Sequence, residues 1–448
     1  MHLIVELIKY LMILMIGVYT YYSFGVFRRK NKKQQDKVYG ILTIFIFAIH
    51  FTGYFTLYFQ SGSDKILLLY LGELVMLFLI LAFYQAFYPK LSKLLLRNML
   101  MLLVIGFIIL ARLSFDKAIR QAFFVFASSV LCIFVPVLIR RFTWLRRFGW
   151  IYGIAGIAIL LVVLFAGTTN YGATNWLSIA GISFQPSELV KLLFVFSIAS
   201  MFRDKTSFRQ VITVSAMAGV NVLILVIQRD LGGALIFFVT YVFMLYTATA
   251  KELYLFSGLA GGSVAAIVAY QLFNHVRVRV MAWKNPFAYI DKEGYQISQS
   301  LFAIGTGGWF GMGLNQGLPT SIPVVDSDFV FSAISEEFGG LFSICIILIY
   351  INCFIMIMYI ALKLEDSFYR LLSIGFGVMF CFQAILSIGG VIKFIPSTGV
   401  TLPFISSGGS SVFATILMFM ILQGVYLKES TSRSGKGKEM AEPEAEEQ

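Results

Sequence analysis

Residues 148–168 read FGWIYGIAGIAILLVVLFAGT, twenty-one consecutive positions without a charged side chain, directly after Arg146 and Arg147. At about 1.5 Å per residue, a helix of this length spans the ~30 Å hydrocarbon core of a bilayer. In that core every backbone polar group has to be satisfied within the segment. The stretch therefore reads as a transmembrane helix, and it has many companions. Apolar runs near 3–26, 38–59, 66–88, 95–114, 118–139, 187–202, 209–227, 231–249, 253–273, 338–362, 369–388 and 409–427 bring the expected number of spans to about thirteen. Hydrophobic residues form 59% of the 448 and charged residues 13%, against about a quarter charged in soluble domains. The expected fold class is all-α, a polytopic transmembrane helical bundle.

The net charge of +12 does not point to nucleic acid, because the basic residues cluster in alternate connections. Arg28, Arg29, Lys30, Lys32, Lys33 and Lys37 fill the first; Lys90, Lys93 and Arg97 the third; Arg140, Arg141, Arg146 and Arg147 the fifth; Arg203, Lys205 and Arg209 the seventh. The positive-inside rule places these in the cytoplasm. The N-terminus is then expected outside, the C-terminus inside, and the long polar stretch Asn274–Glu337 outside. The first apolar run is too long for a cleavable signal and has no basic segment ahead of it. Cys132, Cys345, Cys353 and Cys381 all lie in apolar runs without paired spacing, which suits core packing rather than a metal site or disulfides. The polar, acidic end from Lys428 onward is expected to be a disordered cytoplasmic tail, residues 429–448.

On the expected outer side, Gln185-Pro186-Ser187-Glu188 precedes Lys191. Ser187 and Glu188 suit a helix start. Glu188 and Lys191, three apart, share one helix face inside the membrane, where a charged pair is a functional hypothesis. Asp230 opens the next helix as a cap or a site residue. Arg277 and Arg279 follow a span directly, as lipid-facing charges or as anion ligands. The run from Gly305 to Gly313 reads as flexible backbone and matches neither a dinucleotide fingerprint nor a phosphate-binding loop. Asp326 reads as a solvated loop charge. Asp328 lies against Phe329, Val330 and Phe331, where desolvation raises a carboxylate towards base strength. His50 and Glu73, both about seven to nine residues inside the second and third spans, are expected to pair.

Phe184-Gln185-Pro186-Ser187-Glu188 with Lys191, Asp230-Leu231-Gly232, Arg277-Val278-Arg279-Val280, Asn285-Pro286, Gly294-Tyr295-Gln296 with Gln299-Ser300, Ala303-Ile304-Gly305-Thr306-Gly307-Gly308, Asp328-Phe329-Val330-Phe331 with Glu336-Glu337, and the stretch from Gly399 to Ser410 that contains Pro403-Phe404-Ile405-Ser406-Ser407-Gly408-Gly409 follow one another in order. That order resembles the SEDS family of bacterial shape, elongation, division and sporulation proteins, which includes RodA, FtsW and SpoVE. The likeness covers about residues 92–428, a ten-span core, and leaves 1–91 as an additional three-span module without a counterpart. The resemblance implies a peptidoglycan glycosyltransferase that polymerises lipid II on the outer face of the cytoplasmic membrane. It implies Asp328 as the essential aspartate. Gln185, Glu188, Lys191, Asp230, Arg277, Arg279, Ser406 and Ser407 are implied to line the substrate cavity. Many members carry Arg where this chain has Asn175, and Pro where it has Arg229, so Arg229 is a candidate to restore the missing charge.

On this reading Lys191, Arg277 and Arg279 hold the pyrophosphate and Asp328 takes the proton of the acceptor hydroxyl, with inversion at the anomeric carbon. No metal ligand cluster is legible, and a divalent cation at the pyrophosphate is compatible but not required. Expected partners are lipid II and the nascent glycan strand, membrane lipid, and a class B penicillin-binding protein that supplies transpeptidation. The rival readings are a lipid II flippase and a non-catalytic scaffold for a transpeptidase. Against the flippase, the charged residues concentrate at one end of the bundle.

Overall fold

The computed structural model describes residues 2–170, 173–179, 182–203 and 206–439. Three helices open the chain, α1 (His2–Arg28), α2 (Lys32–Ser61) and α3 (Asp64–Phe87); α4 (Lys93–Leu113), α5 (Phe115–Leu131), α6 (Val135–Arg141) and α7 (Gly149–Ala166) follow. A small antiparallel sheet, β1 (Thr168–Asn170), β2 (Ala173–Ile179) and β3 (Ile182–Phe184), leads into α8 (Ser187–Met201). Then come α9 (Phe208–Ile227), α10 (Leu231–Thr249), α11 (Glu252–Leu272), α12 (Asn274–Lys284), α13 (Tyr295–Gly307), α14 (Val330–Leu362), α15 (Ser367–Val391) and α16 (Gly409–Glu439).

Twelve of the described segments are long and apolar enough to cross a membrane, with α5 and α6 counting as one. The chain is a multi-pass membrane protein built as an all-α bundle. The thirteenth expected span is α8, whose 15 residues reach about 22 Å and fall short of the hydrocarbon thickness. The sheet's register runs Thr168↔Trp176 between β1 and β2 and Leu177↔Phe184 between β2 and β3.

At the centre stands α4, buried from Leu94 to Ala111 without interruption. Arg97 is tolerated there because its guanidinium donates to the carbonyls of Tyr39 (2.8 Å) and Lys93 (3.1 Å) and to the Thr43 hydroxyl (3.0 Å). The N-terminal module wraps this centre: α1 packs on α14, α2 on α4 and α3 on α5. Tyr19 donates to Asn98 at 2.9 Å, and Asn98 to Asn352 at 2.7 Å, tying α1, α4 and α14 into one polar chain. His50 and Glu73 meet at 3.0 Å with both side chains fully buried, the pairing anticipated from their depths.

The stretch Asn274–Glu337 is not an open loop. It is largely helical, through α12, α13 and the start of α14. The glycines from 307 to 313 are held against a kink at Gly339 by backbone hydrogen bonds, so the flexibility expected of them is absent. Met312 donates to the Glu336 carbonyl (2.9 Å), Gly313 to that of Glu337 (2.9 Å), and Gly340 to that of Gly308 (2.8 Å). At the other end, α16 continues to Glu439, past the boundary at Lys428 where a tail is expected. No proline lies between those residues to stop a helix already anchored in the bundle. Residues 440–448 of the expected tail lie outside the described residues.

Candidate functional site: a crevice and a cationic cavity beside Asp328

The site is assembled around one irregular segment, Ser397–Thr401, between α15 and α16. Gly399 has φ 72°, a left-handed conformation that suits glycine. A Cβ at this position would sit 3.3 Å from the Asp328 carboxylate, so the absence of a side chain is what brings Asp328 against this segment. On the opposite flank, a Cβ on Gly232 would lie 3.1 Å from the Thr398 carbonyl, which brings the start of α10 and its cap Asp230 equally close.

Asp328 lies on a turn whose backbone closes from Asp328 N to the Val324 carbonyl (3.3 Å), immediately before α14. That turn is pinned from outside. Ser406 accepts from the Leu402 amide (2.8 Å) and donates to the Ser327 carbonyl, and the Ser407 amide donates to the Asp326 carbonyl (2.8 Å). Ser406 is buried and its hydroxyl is occupied by backbone, so it shapes the loop that carries Asp328 rather than facing a substrate. Asp326 is not a freely solvated charge, because it pairs with Lys117 at 2.8 Å.

Burial pushes the Asp328 carboxyl above the usual carboxylate range; its hydrogen bond with Ser327 and the charge of Arg279 pull it back, and Asp326 adds to the rise. Arg279 in turn is depressed by burial and held up by the charges of Asp230 and Asp328. It donates to the Ser397 carbonyl at 3.1 Å. Arg277 does not share this position. Two residues apart on a helix, the side chains diverge by about 200°, and Arg277 is exposed on the far face of α12. The structure therefore does not bring the two arginines expected to act together to one place.

Behind the segment lies a narrow crevice lined by Gln185, Glu188, Lys191, Asp230, Gly399 and Thr401. Lys191 binds Glu188 at 2.8 Å and donates to Gln383 at 2.9 Å. Gln383 passes the connection to the Thr401 carbonyl at 3.1 Å, and Thr401 meets Ser411 at 2.9 Å. Asp230 caps Gly233 N at 2.8 Å and accepts from Asn175 (3.3 Å) and Gln185 (3.4 Å). The Gln185 amide donates to Ser410 at 3.0 Å. Asp230 is thus both cap and site residue. Gln383 and Ser411 escaped the sequence reading because uncharged polar residues in apolar helices carry no spacing signal of their own, and Thr401 and Ser410 stood in the quoted Gly399–Ser410 stretch without an assigned role.

Arg229 has φ 64° at the end of α9. With His275 and Arg279 it lines a cavity of about 740 Å³ whose other wall includes Ile227, Leu272 and Phe273. Ile227 and Leu272 are exposed, so the cavity offers cations on one side and apolar surface on the other. His275 is kept below its ordinary value by burial, then by Arg229 and Arg279. No three His, Cys, Asp or Glu side chains converge as a metal site among the described residues.

A family profile described as cell cycle protein, covering FtsW, RodA and SpoVE, matches residues 93–431. RodA of Mycobacterium tuberculosis, named a peptidoglycan glycosyltransferase, is 35% identical over 297 residues, 62% of this chain and 63% of that protein. The chain thus spans somewhat less than two thirds of the length of the RodA proteins of Mycobacterium tuberculosis and Mycobacterium bovis. FtsW of Pseudoalteromonas translucida, named a probable peptidoglycan glycosyltransferase, is 32% identical over 360 residues, 74% of this chain and 87% of that protein. Among solved structures, Thermus thermophilus RodA aligns with TM-score 0.57 and 23% identity over 76% of this chain and 97% of that one. A chain of a peptidoglycan synthase complex, described as coordinating polymerization and crosslinking, aligns with TM-score 0.65 and 23% identity over 76% and 98%. Matched along three quarters of its length, and in the segments that build the site, the chain belongs to the FtsW, RodA and SpoVE family of cell cycle proteins.

Proposed function

We propose that the chain is a peptidoglycan glycosyltransferase that polymerises lipid II at the outer face of the cytoplasmic membrane, with Asp328 as general base. The observation that carries this reading is a half-buried carboxylate, raised above the usual carboxylate range by desolvation, beside a cationic cavity with an apolar wall. A lipid-linked sugar diphosphate needs those surroundings: hydrocarbon for its polyprenyl chain, cations for its phosphates, and a base at the glycan.

In the reaction, Asp328 takes the proton of the acceptor sugar hydroxyl as its oxygen forms a bond to the donor's anomeric carbon. The bond from that carbon to the diphosphate breaks, and the electron pair leaves with undecaprenyl diphosphate. Arg279 and Arg229 stabilise the charge that develops there. Arg229 supplies the cation that relatives carry in the first outer loop, where Asn175 instead donates to Asp230. Attack opposite the leaving group inverts the anomeric centre. One base suffices because a diphosphate leaves without protonation, unlike the alkoxide of glycoside hydrolysis. Lys191, neutralised by Glu188 and bound to Gln383, organises the crevice wall rather than meeting the diphosphate alone. A divalent cation would add to these charges at the diphosphate; chelation of the assay tests for it. The partner of this reading is a class B penicillin-binding protein that cross-links the new strand.

The test is glycan polymerisation from purified lipid II by the purified full chain. Asp328→Asn should lower the rate by about 10²- to 10⁴-fold while leaving binding of the partner unchanged. Polymerisation at the wild-type rate by that variant would remove Asp328 from the reaction.

A further inference from the structure

We propose that the end of the bundle opposite Asp328 carries a binding site for the phosphate group of an anionic phospholipid. The helices fix its location. The site described above lies where α7 ends, α8 begins and α9 ends; the opposite termini of these three helices meet around a second cavity of about 490 Å³. The 18 residues of α7 separate the two ends by about 27 Å. The second cavity therefore belongs to the other membrane interface.

Arg146, Arg147, Arg203 and Arg209 line this cavity, together with Trp150 and Gln210. They come from the α6–α7 connection and from the α8–α9 connection with the start of α9, and no acidic residue is among the described lining residues. The floor is built rather than incidental. The Arg146 carbonyl accepts from Ser200 at 2.7 Å and from Arg203 at 3.4 Å, and Gln210 donates to the Met201 carbonyl. Arg146 pairs with Asp366 at 3.0 Å through Nη1, but its Nε is buried with no hydrogen-bond partner. Arg147 and Arg209 are exposed and make no ion pair among the described residues. The guanidinium groups of Arg146, Arg147 and Arg209, lining one cavity, match the oxygens of a phosphate.

Two features select a lipid over a soluble anion. Trp150 borders the cavity and is 55% exposed, which suits an indole at headgroup level. One turn further along α7, Ile154 is also exposed, and Phe208 and Ile212 are exposed on α9. These apolar faces continue from the cavity into the hydrocarbon region, where acyl chains attached to a bound headgroup would lie. Basic pockets between membrane helices recognise anionic headgroups by this combination.

The test uses the full chain in nanodiscs of phosphatidylcholine with increasing phosphatidylglycerol, read by native mass spectrometry of the released protein and by its melting temperature. The wild type should retain phosphatidylglycerol and melt higher as its fraction rises. The double variant Arg147→Gln/Arg209→Gln should need about thirty-fold more phosphatidylglycerol for the same retention, while melting with the wild type in pure phosphatidylcholine. The control Lys32→Gln/Lys33→Gln, on another basic connection, should retain the lipid normally. Equal retention by the Arg147/Arg209 variant, or an equal loss in the lysine control, would overturn the proposal. Stabilisation of the detergent-solubilised wild type by millimolar inorganic phosphate, to the same extent as by phosphatidylglycerol, would refute the lipid as the source of the phosphate.

Discussion

Asp328 and Arg279 set each other's ionisation. Burial raises the carboxyl and the guanidinium lowers it, with burial the larger effect. A general base works unprotonated, so activity should rise with pH as Asp328 loses its proton. Replacing Arg279 with Gln removes the lowering influence, and the acidic limb of the kcat/KM profile should then move to higher pH; an unmoved limb would separate the two residues. The same variant should lose about 100-fold in kcat through the missing charge at the leaving group. Arg277→Gln, on the exposed face of α12, should stay within about threefold of wild type in the same assay. The motif Arg277-Val278-Arg279 shows two equivalent arginines, and their spacing cannot say which of them faces inward.

At the scale of elements, the polar stretch before α14 holds its shape through a backbone crossing. Gly339 adopts φ 85° and ψ 172°, a region essentially confined to glycine. A Cβ there would lie 2.3 Å from Gly311 N, and one on Gly311 would lie 2.4 Å from the Glu337 carbonyl. Gly339→Ala should therefore destabilise the protein by about 3 kcal/mol or more, combining backbone strain with a clash that no rotamer relieves. Gly305→Ala, on α13 with nothing within 4 Å of its Cβ, should gain about 0.5–1 kcal/mol from helix propensity. Thermal melts of the two variants in one detergent decide this; equal melting temperatures would show that the crossing is not rigid. In sequence both residues belong to glycine-rich runs and look alike. Only the approach of α14 to the segment after α13 distinguishes them.

Over the whole molecule, the N-terminal module is joined to the segment between α13 and α14 of the family core as well as to its central helix. Lys9 donates to the Gly311 carbonyl at 3.1 Å and Gln60 to that of Leu314 at 3.0 Å, on the same segment that crosses Gly339. Arg112 of α4 binds Glu337 at 2.9 Å and the Gly317 carbonyl at 3.1 Å, linking the central helix to the helix that follows Asp328. Within the module, α2 and α3 are locked by His50 and Glu73. Removing one partner of such a pair leaves a polar group stranded, at a cost of about 3–5 kcal/mol. His50→Leu and Glu73→Leu should each lower the melting temperature more than the double replacement does. Additive losses in that double-mutant cycle would show that the two residues act independently.

The sequence by itself determined the class, the family, the number of long apolar helices to within one, and an N-terminal module ahead of the family match at residue 93. Membrane helices obey a length and composition rule that is local to each segment, and the site motifs recur in a distinctive order. The pairing of His50 with Glu73 was legible for the same reason, since equal depth in adjacent spans leaves few alternatives. Tertiary structure alone decided that Arg279 rather than Arg277 turns towards the Ser397–Thr401 segment and that Ser406 braces a turn. It also decided that Gln383 joins Lys191 to Thr401 and that Arg229 shares a cavity with His275. Each of these depends on which face of a helix meets which neighbour. That choice is made by packing between segments far apart in the chain, and hydropathy does not encode it.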